Sequence, residues 1–163
     1  FDDLVLLHLD AHADLRDGYL GEKYSHASII RRTLDHFGKD HSLIQYGIRS
    51  GTSEEFQWME ENKTRVHSHD ELISRLEQLG NRPIYLTLDL DYFDPAYMPG
   101  TGTPEAGGES FHSFIKLIKT LDKLNLVGAD VVELAPTLDP SGISSALASK
   151  VVRELMILLE KDL

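Results

Sequence analysis

The chain has 163 residues, enough for one domain with a real core, and 41% of them are apolar, which is ordinary for a globular protein. It has no cysteine, which excludes disulfides and thiolate metal sites, and no apolar run reaches membrane-spanning length. A formal net charge of −11 disfavours nucleic acid and anionic membrane surfaces as partners and suits a cationic substrate. The lack of thiols and of a signal peptide fits a reducing compartment, and the expected location is cytoplasmic.

In chain order, Leu4-Val5-Leu6-Leu7 predicts a buried strand, and it runs into Leu7-His8-Leu9-Asp10-Ala11-His12-Ala13-Asp14. Side chains alternate in extended backbone, so Asp10, His12 and Asp14 tend to face one way where the strand ends. Two carboxylates and an imidazole there suit a borderline divalent cation. Alone, this D-x-H-x-D pattern is as often a hydrogen-bonded turn as a metal site. A glycine-punctuated loop over 15–23 follows, then a predicted helix over 25–37 on Ala27, Ile29, Ile30, Leu34 and Phe37, with Gly38 as its stop. A strand is predicted over 42–48. Thr52-Ser53-Glu54-Glu55 and Ser68-His69-Asp70-Glu71 are capping-box patterns. They open helices running to about Asn62 and to Leu79, with at most a short strand at Val66-His67 between them.

Beyond the break at Gly80-Asn81-Arg82-Pro83, the strand Tyr85-Leu86-Thr87-Leu88 ends in a second acidic pair, Asp89 and Asp91. A long loop rich in proline and glycine spans 92–108, a length that is commonly functional. A helix is predicted over 109–124, a strand over 126–134 ending at Glu133, and a last helix over 143–160. Strands alternating with helices predict a three-layer α/β/α fold with a mostly parallel sheet, as a single domain over 1–163. Ligands of such sheets bind at the carboxyl ends of the strands, where Asp10, Asp89 and Glu133 all fall. Two acidic pairs closing two strands suggest one site with more than one metal ion.

Asp10-Ala11-His12-Ala13-Asp14, Asp89-Leu90-Asp91-Tyr92-Phe93-Asp94-Pro95 and Pro99-Gly100-Thr101-Gly102-Thr103-Pro104-Glu105-Ala106-Gly107-Gly108 come in that order. Together they resemble the ureohydrolases, the family of arginase and agmatinase, over nearly the whole chain. Tyr24-Ser25-His26-Ala27-Ser28 with Arg31-Arg32 is most similar to agmatinases. The resemblance implies an arginase-like fold and a dinuclear manganese centre. Asp10 and Asp89 would bridge the ions, His12 and Asp91 would complete one, and Asp14 would bind the other. Two metals lower the pKa of a bridging water, giving a hydroxide that attacks the guanidinium carbon and releases urea and an amine.

By the same resemblance Glu133 binds the guanidinium, for which a carboxylate offers a bidentate pair. His26 shuttles protons, its type titrating near neutrality. Asp14 is a candidate for protonating the leaving amine, and Thr103 for a hydrogen bond near the substrate. From position alone, Glu133 reads equally as a surface acid and Thr103 as a turn residue. The expected substrate is agmatine, yielding putrescine and urea. The alternatives are another guanidino compound, such as guanidinobutyrate or arginine, and a catalytically silent, metal-stabilised subunit or fragment.

Trimers or hexamers are implied as assemblies. The family also carries a metal-binding histidine upstream of the first motif, so the chain is expected to begin inside a longer protein, without the first strands of its sheet. His8 shares the parity of the ligands and reads as a core histidine or a partner of a ligand. Arg49 is expected at the site rim or an interface. His67, His69, His36, His41 and His112 read as surface residues.

Overall fold

The computed structural model of the chain describes residues 1–160. Its strands are β1 (Val5–Leu9), β2 (Ser42–Tyr46), β3 (Arg65–Val66), β4 (Ile84–Asp89) and β5 (Leu126–Val132). They form one five-stranded sheet in the order β3-β2-β1-β4-β5, with every pairing parallel. The central strand β1 is buried along its whole length, which is why its sequence is a continuous apolar run rather than an alternating one. The chain steps outward from β1 to β3, then restarts at β4 on the other side. This reversal opens a crevice at the carboxyl ends of β1 and β4. Leu9 pairs with Leu88, and Asp89 pairs with Val132. The register therefore delivers Asp10, Asp89 and Glu133 side by side from three adjacent strands.

Helices cover both faces. The helices α3 (His69–Glu77), α4 (Phe111–Leu121) and α5 (Ile143–Glu160) lie on one, where Leu72, Leu76, Phe114, Leu117, Val151 and Leu155 pack against Val5, Leu7, Leu9, Ile84, Leu86 and Leu88. The other face is covered by α1 (Ile29–Leu34) and α2 (Ser53–Glu61), through Ile30 and Met59 on Leu6 and Leu43. Each such side chain contributes roughly 1.5–3 kcal/mol on burial. The result is the three-layer α/β/α arrangement that the alternation of elements predicts. Among the described residues no helix is long and apolar enough to cross a membrane.

The predicted caps form, with one variation. Thr52 and Glu55 make the full reciprocal box at the start of α2. At α3, Ser68 accepts from the Glu71 N–H, but the Glu71 carboxylate returns to the N–H of His67 at 3.0 Å. The helix predicted over 25–37 is shorter. His26–Ser28 form a 3₁₀ turn, Ser28 leaves helical geometry with ψ 5, and only Ile29–Leu34 are α-helical. The Arg31 N–H, free at the start of a helix, goes instead to the carbonyl of Asp14 at 3.1 Å, tying this segment to the first motif. The helix predicted from 109 begins at Phe111 with Ser110 as its cap, because Glu109 bridges to Phe93. The strand predicted to run through 134 stops at Val132, since Glu133 turns into left-handed backbone with φ 65.

Three histidines expected on the surface have partners: His69 Nε2 meets the Ser113 carbonyl at 3.1 Å, linking α3 to α4, His41 Nδ1 accepts from the Gly38 N–H, and exposed His67 lies 3.6 Å from the Glu60 carboxylate.

Candidate metal centre

A cleft of about 1020 Å³ opens at the carboxyl edge of the sheet, and Asp10, His12, Asp14, His26, Asp89, Asp91, Thr103 and Glu133 all line it. The first motif is held there by the backbone of the segment after β2. Arg49 and Ser50 both donate to the Ala11 carbonyl, at 2.8 and 2.9 Å, and Ala13 donates to the Ser50 carbonyl at 3.2 Å. That anchoring brings Asp10 and His12 into the cleft across a bend at Ala11. Asp14 enters the cleft through a left-handed turn with φ 55 rather than by strand parity. Just beyond it, the Leu15 N–H donates to the buried Glu55 carboxylate at 2.9 Å. One acid thus caps α2 and pins the end of the loop.

The second motif interlocks with the first. Asp89 caps the 3₁₀ turn Leu90–Tyr92, its Oδ1 accepting the Asp91 N–H at 2.8 Å. Asp91 in turn accepts the Ala11 N–H on Oδ1 at 3.0 Å and lies 2.8 Å from His12 Nδ1 through Oδ2. Two sets of donor atoms result, each within 4.8 Å: His8, Asp10 and Asp14, and Asp10, His12 and Asp91. Asp10 belongs to both, turning Oδ2 to His8 and Oδ1 to His12. Asp89 stands outside both sets but lines the same cleft, with Oδ1 committed to the cap of the turn.

The electrostatics of this cluster fit a cation. Burial and the neighbouring charge of Asp10 push Asp14 up from the usual carboxylate range. Burial, with Asp10 and Asp91 beside it, pushes Asp89 up further. Burial opposes ionisation of Asp10 as well, but the adjoining His8 and the hydrogen bonds from His12 and His8 hold it low. The carboxylates of Asp10 and Asp91 raise His12 to about 10. Buried carboxylates this close cannot all ionise without a countercharge, and a bound divalent ion reverses the upward shifts. Carboxylate oxygens with an imidazole suit a divalent cation.

The opposite wall is built differently. Glu133 is exposed and held in left-handed backbone, at a cost of about 1–2 kcal/mol for a residue with a Cβ. Its segment is fastened by the Ala135 N–H on the Gly100 carbonyl at 2.8 Å. Gly102 lies beside it, in van der Waals reach of the Glu133 carboxylate. Thr103 Oγ1 is 3.5 Å from Asp91 Oδ2. His26 is exposed, with its ring edge-on to Tyr19 at 5.4 Å between centroids.

Three residues outside the predicted site set organise this cleft. Arg49 spreads its guanidinium over the carbonyls of Gly47, Asp91, Tyr92 and Glu105. Asp94 accepts the N–H groups of Ala96, Gly107 and Gly108, folding the long loop on itself. Gln45, buried in β2, reaches His8 and the Ala13 carbonyl. Only Arg49 gave a signal, a cation directly after a strand.

Fold and site together define a class: a parallel α/β protein with places for divalent cations at its topological switch point. The model of the arginase family matches residues 1–158, and the chain belongs to that family, whose enzymes are binuclear-metal hydrolases. An agmatinase of Bacillus cereus is 42% identical over 162 residues, covering 96% of this chain and 56% of the relative. A guanidinobutyrase of Pseudomonas aeruginosa is 36% identical over 166 residues, covering 94% of this chain and 52% of the relative. The crystal structure of the agmatine ureohydrolase of Thermoplasma volcanium matches with a TM-score of 0.82 at 32% identity, covering 99% of this chain and 56% of that one. The chain thus spans about half the length of the relatives it matches.

Proposed function

We propose that the protein is a manganese-dependent amidinohydrolase that converts agmatine and water to putrescine and urea. The observation that carries this reading is the cleft itself, with an aspartate–histidine cluster on one wall and the free carboxylate of Glu133 on the other. Bound ions would be held by Asp10, His12, Asp14, Asp89 and Asp91, and would supply a water of lowered pKa. Glu133 pairs with the planar N–H groups of the guanidinium and fixes its carbon over the cluster. A new C–O bond forms at that carbon, the C–N bond to the alkyl chain breaks, and the leaving nitrogen takes a proton. In this reading Asp14 delivers it, and His26 at the cleft mouth exchanges protons with solvent. Thr103 steadies Asp91.

The tail of the substrate follows from the charges around the mouth. Arg16 lies 3.6 Å from Glu55, and Arg32 is 2.7 Å from Asp17. Both cations of the cleft wall are therefore already matched, while Asp130 and Glu133 add negative charge. An ammonium tail suits this rim better than a carboxylate, which would need a free cation of its own. The similarity to a guanidinobutyrase supports a second reading, in which the tail is a carboxylate. Urea release by the manganese-loaded full-length protein from agmatine, 4-guanidinobutyrate and arginine decides. Agmatine should give the highest kcat/KM. A higher value for guanidinobutyrate overturns the substrate, and no urea from any of the three overturns the enzyme.

A further inference from the structure

A buried polar chain runs into the cluster from behind. Thr64, Gln45 and His8 are 6%, 0% and 2% exposed. Polar groups so deep are costly unless hydrogen-bonded, and here each is. Gln45 lies opposite His8 in the β1–β2 register. Its Nε2 is 3.1 Å from the Ala13 carbonyl oxygen and 3.2 Å from His8 Nδ1, and its Oε1 is 2.9 Å from Thr64 Oγ1.

These contacts fix the proton on the imidazole. A carbonyl oxygen only accepts, so the Ala13 oxygen identifies the end of Gln45 that carries hydrogens. One N–H of that amide goes to Ala13 and the other to His8 Nδ1. Nδ1 is then the acceptor, and the ring proton sits on Nε2, which donates to Asp10 Oδ2 at 2.8 Å. A protonated ring nitrogen is no ligand. His8 is therefore a donor to Asp10 rather than a member of the cation's own shell, although it lies within reach of one.

Asp10 receives a second N–H, from the His12 backbone to Oδ1 at 2.6 Å. Each of its oxygens thus has one lone pair occupied by the protein and another free. That is the state a carboxylate needs if it is to be shared between two ions. We infer that His8 is a positioning residue for the metal centre, holding Asp10 in its bridging orientation, with its tautomer set by Gln45 and Thr64. Through the Ala13 carbonyl the same glutamine steadies the turn that presents Asp14. The inference rests on the metal-centre reading but not on the choice of substrate.

The test is manganese titration of the full-length protein, giving stoichiometry and affinity, with thermal melts of each variant. His8→Leu should weaken binding roughly 10–100-fold while two ions still bind at saturation. His8→Gln should recover most of the affinity, because its amide N–H₂ reaches the place of Nε2 by the same number of bonds. Gln45→Leu should lose a smaller part. If His8→Leu binds like wild type, or if His8→Gln saturates at one ion instead of two, the inference is overturned, the second result making His8 a ligand. Should His8→Leu fail to fold, Gln45→Leu decides: unchanged affinity overturns the inference and weakened affinity supports it. A wild-type protein that binds no manganese overturns the metal reading and the inference with it. Normal wild-type binding with indifferent variants overturns the inference alone.

Discussion

The two walls of the cleft are held by different means. On the wall proposed for metal, Asp10 and Asp91 are almost fully buried, and hydrogen bonds from backbone and imidazole groups fix their carboxylates. On the wall proposed for substrate, His26, Thr103 and Glu133 are exposed, and Glu133 is itself a strained residue just beyond its strand. A metal ligand set must be complete before substrate arrives, so preorganisation favours burial and redundancy there. A carboxylate awaiting a guanidinium must stay solvated and unpaired until then. The difference predicts that damage to the first wall abolishes the centre, whereas damage to the second leaves the centre intact and removes recognition.

The largest effect should come from the buried wall. Asp10→Ala or Asp89→Ala in the full-length protein should eliminate manganese-dependent urea release and lower manganese occupancy. Asp10 serves both donor sets, and Asp89 shapes the turn that presents Asp91. Metal analysis after dialysis, together with a urea assay, checks this. Full occupancy with full turnover in either variant would remove the contrast between the walls.

Glu133→Gln probes the other side. The amide keeps one acceptor and loses the charge, and hydrogen bonds to charged groups contribute about 1.5–3 kcal/mol. The expected loss is roughly 10–100-fold in kcat/KM, at unchanged manganese affinity. A fall in manganese affinity of comparable size would show that Glu133 belongs to the metal wall instead.

Much of the fold was legible because the signals are local. Apolar runs mark β1 and β4, and the capping boxes mark α2 and α3. Asp10, His12, Asp89 and Asp91 were legible as residues of the cleft because each lies at, or within three residues of, the end of β1 or β4. Asp14 was found by motif but for an incomplete physical reason, since strand alternation stops before the left-handed turn that aims it. Glu133 was placed at a strand end, yet nothing local announced φ 65 at a glutamate. Gln45, and the tie from Asp94 to Gly107, were invisible because these partners lie 37 and 13 residues away, and such pairings exist only once the sheet and loop have formed. The short α1 falls short of its helical periodicity because tertiary bonds to the first motif claim its opening turns.

Arg49→Lys should have an intermediate effect. A guanidinium satisfies several carbonyls at once in a fixed plane, and an ammonium does not. The carbonyls of Asp91 and Glu105, at 2.6 and 2.8 Å, would lose their donor, each at about 1–3 kcal/mol if buried. Melting with and without manganese should show lower stability in both states, and weaker manganese retention because Asp91 is displaced. A variant that melts like wild type would mean that Asp94 alone holds the long loop.

The smallest effect separates a helix cap from the metal wall it adjoins. Thr52→Ala removes the acceptor for the Glu55 N–H, at 3.3 Å. It leaves the Glu55 carboxylate on the N–H groups of Thr52, at 2.8 Å, and of Leu15, at 2.9 Å. Loss of such a cap costs about 1 kcal/mol, or roughly 2–4 °C in Tm for a chain of this size. Manganese affinity should not change, because the bond to Leu15 survives. Glu55→Ala removes that bond too, leaving a buried N–H without its acceptor one residue from Asp14, and should lower both stability and manganese retention. Calorimetry and manganese titration on the two variants make the comparison. If Thr52→Ala weakens manganese binding as much as Glu55→Ala does, then α2 as a whole holds the Asp14 turn, and the carboxylate of Glu55 has no separate part in the metal wall.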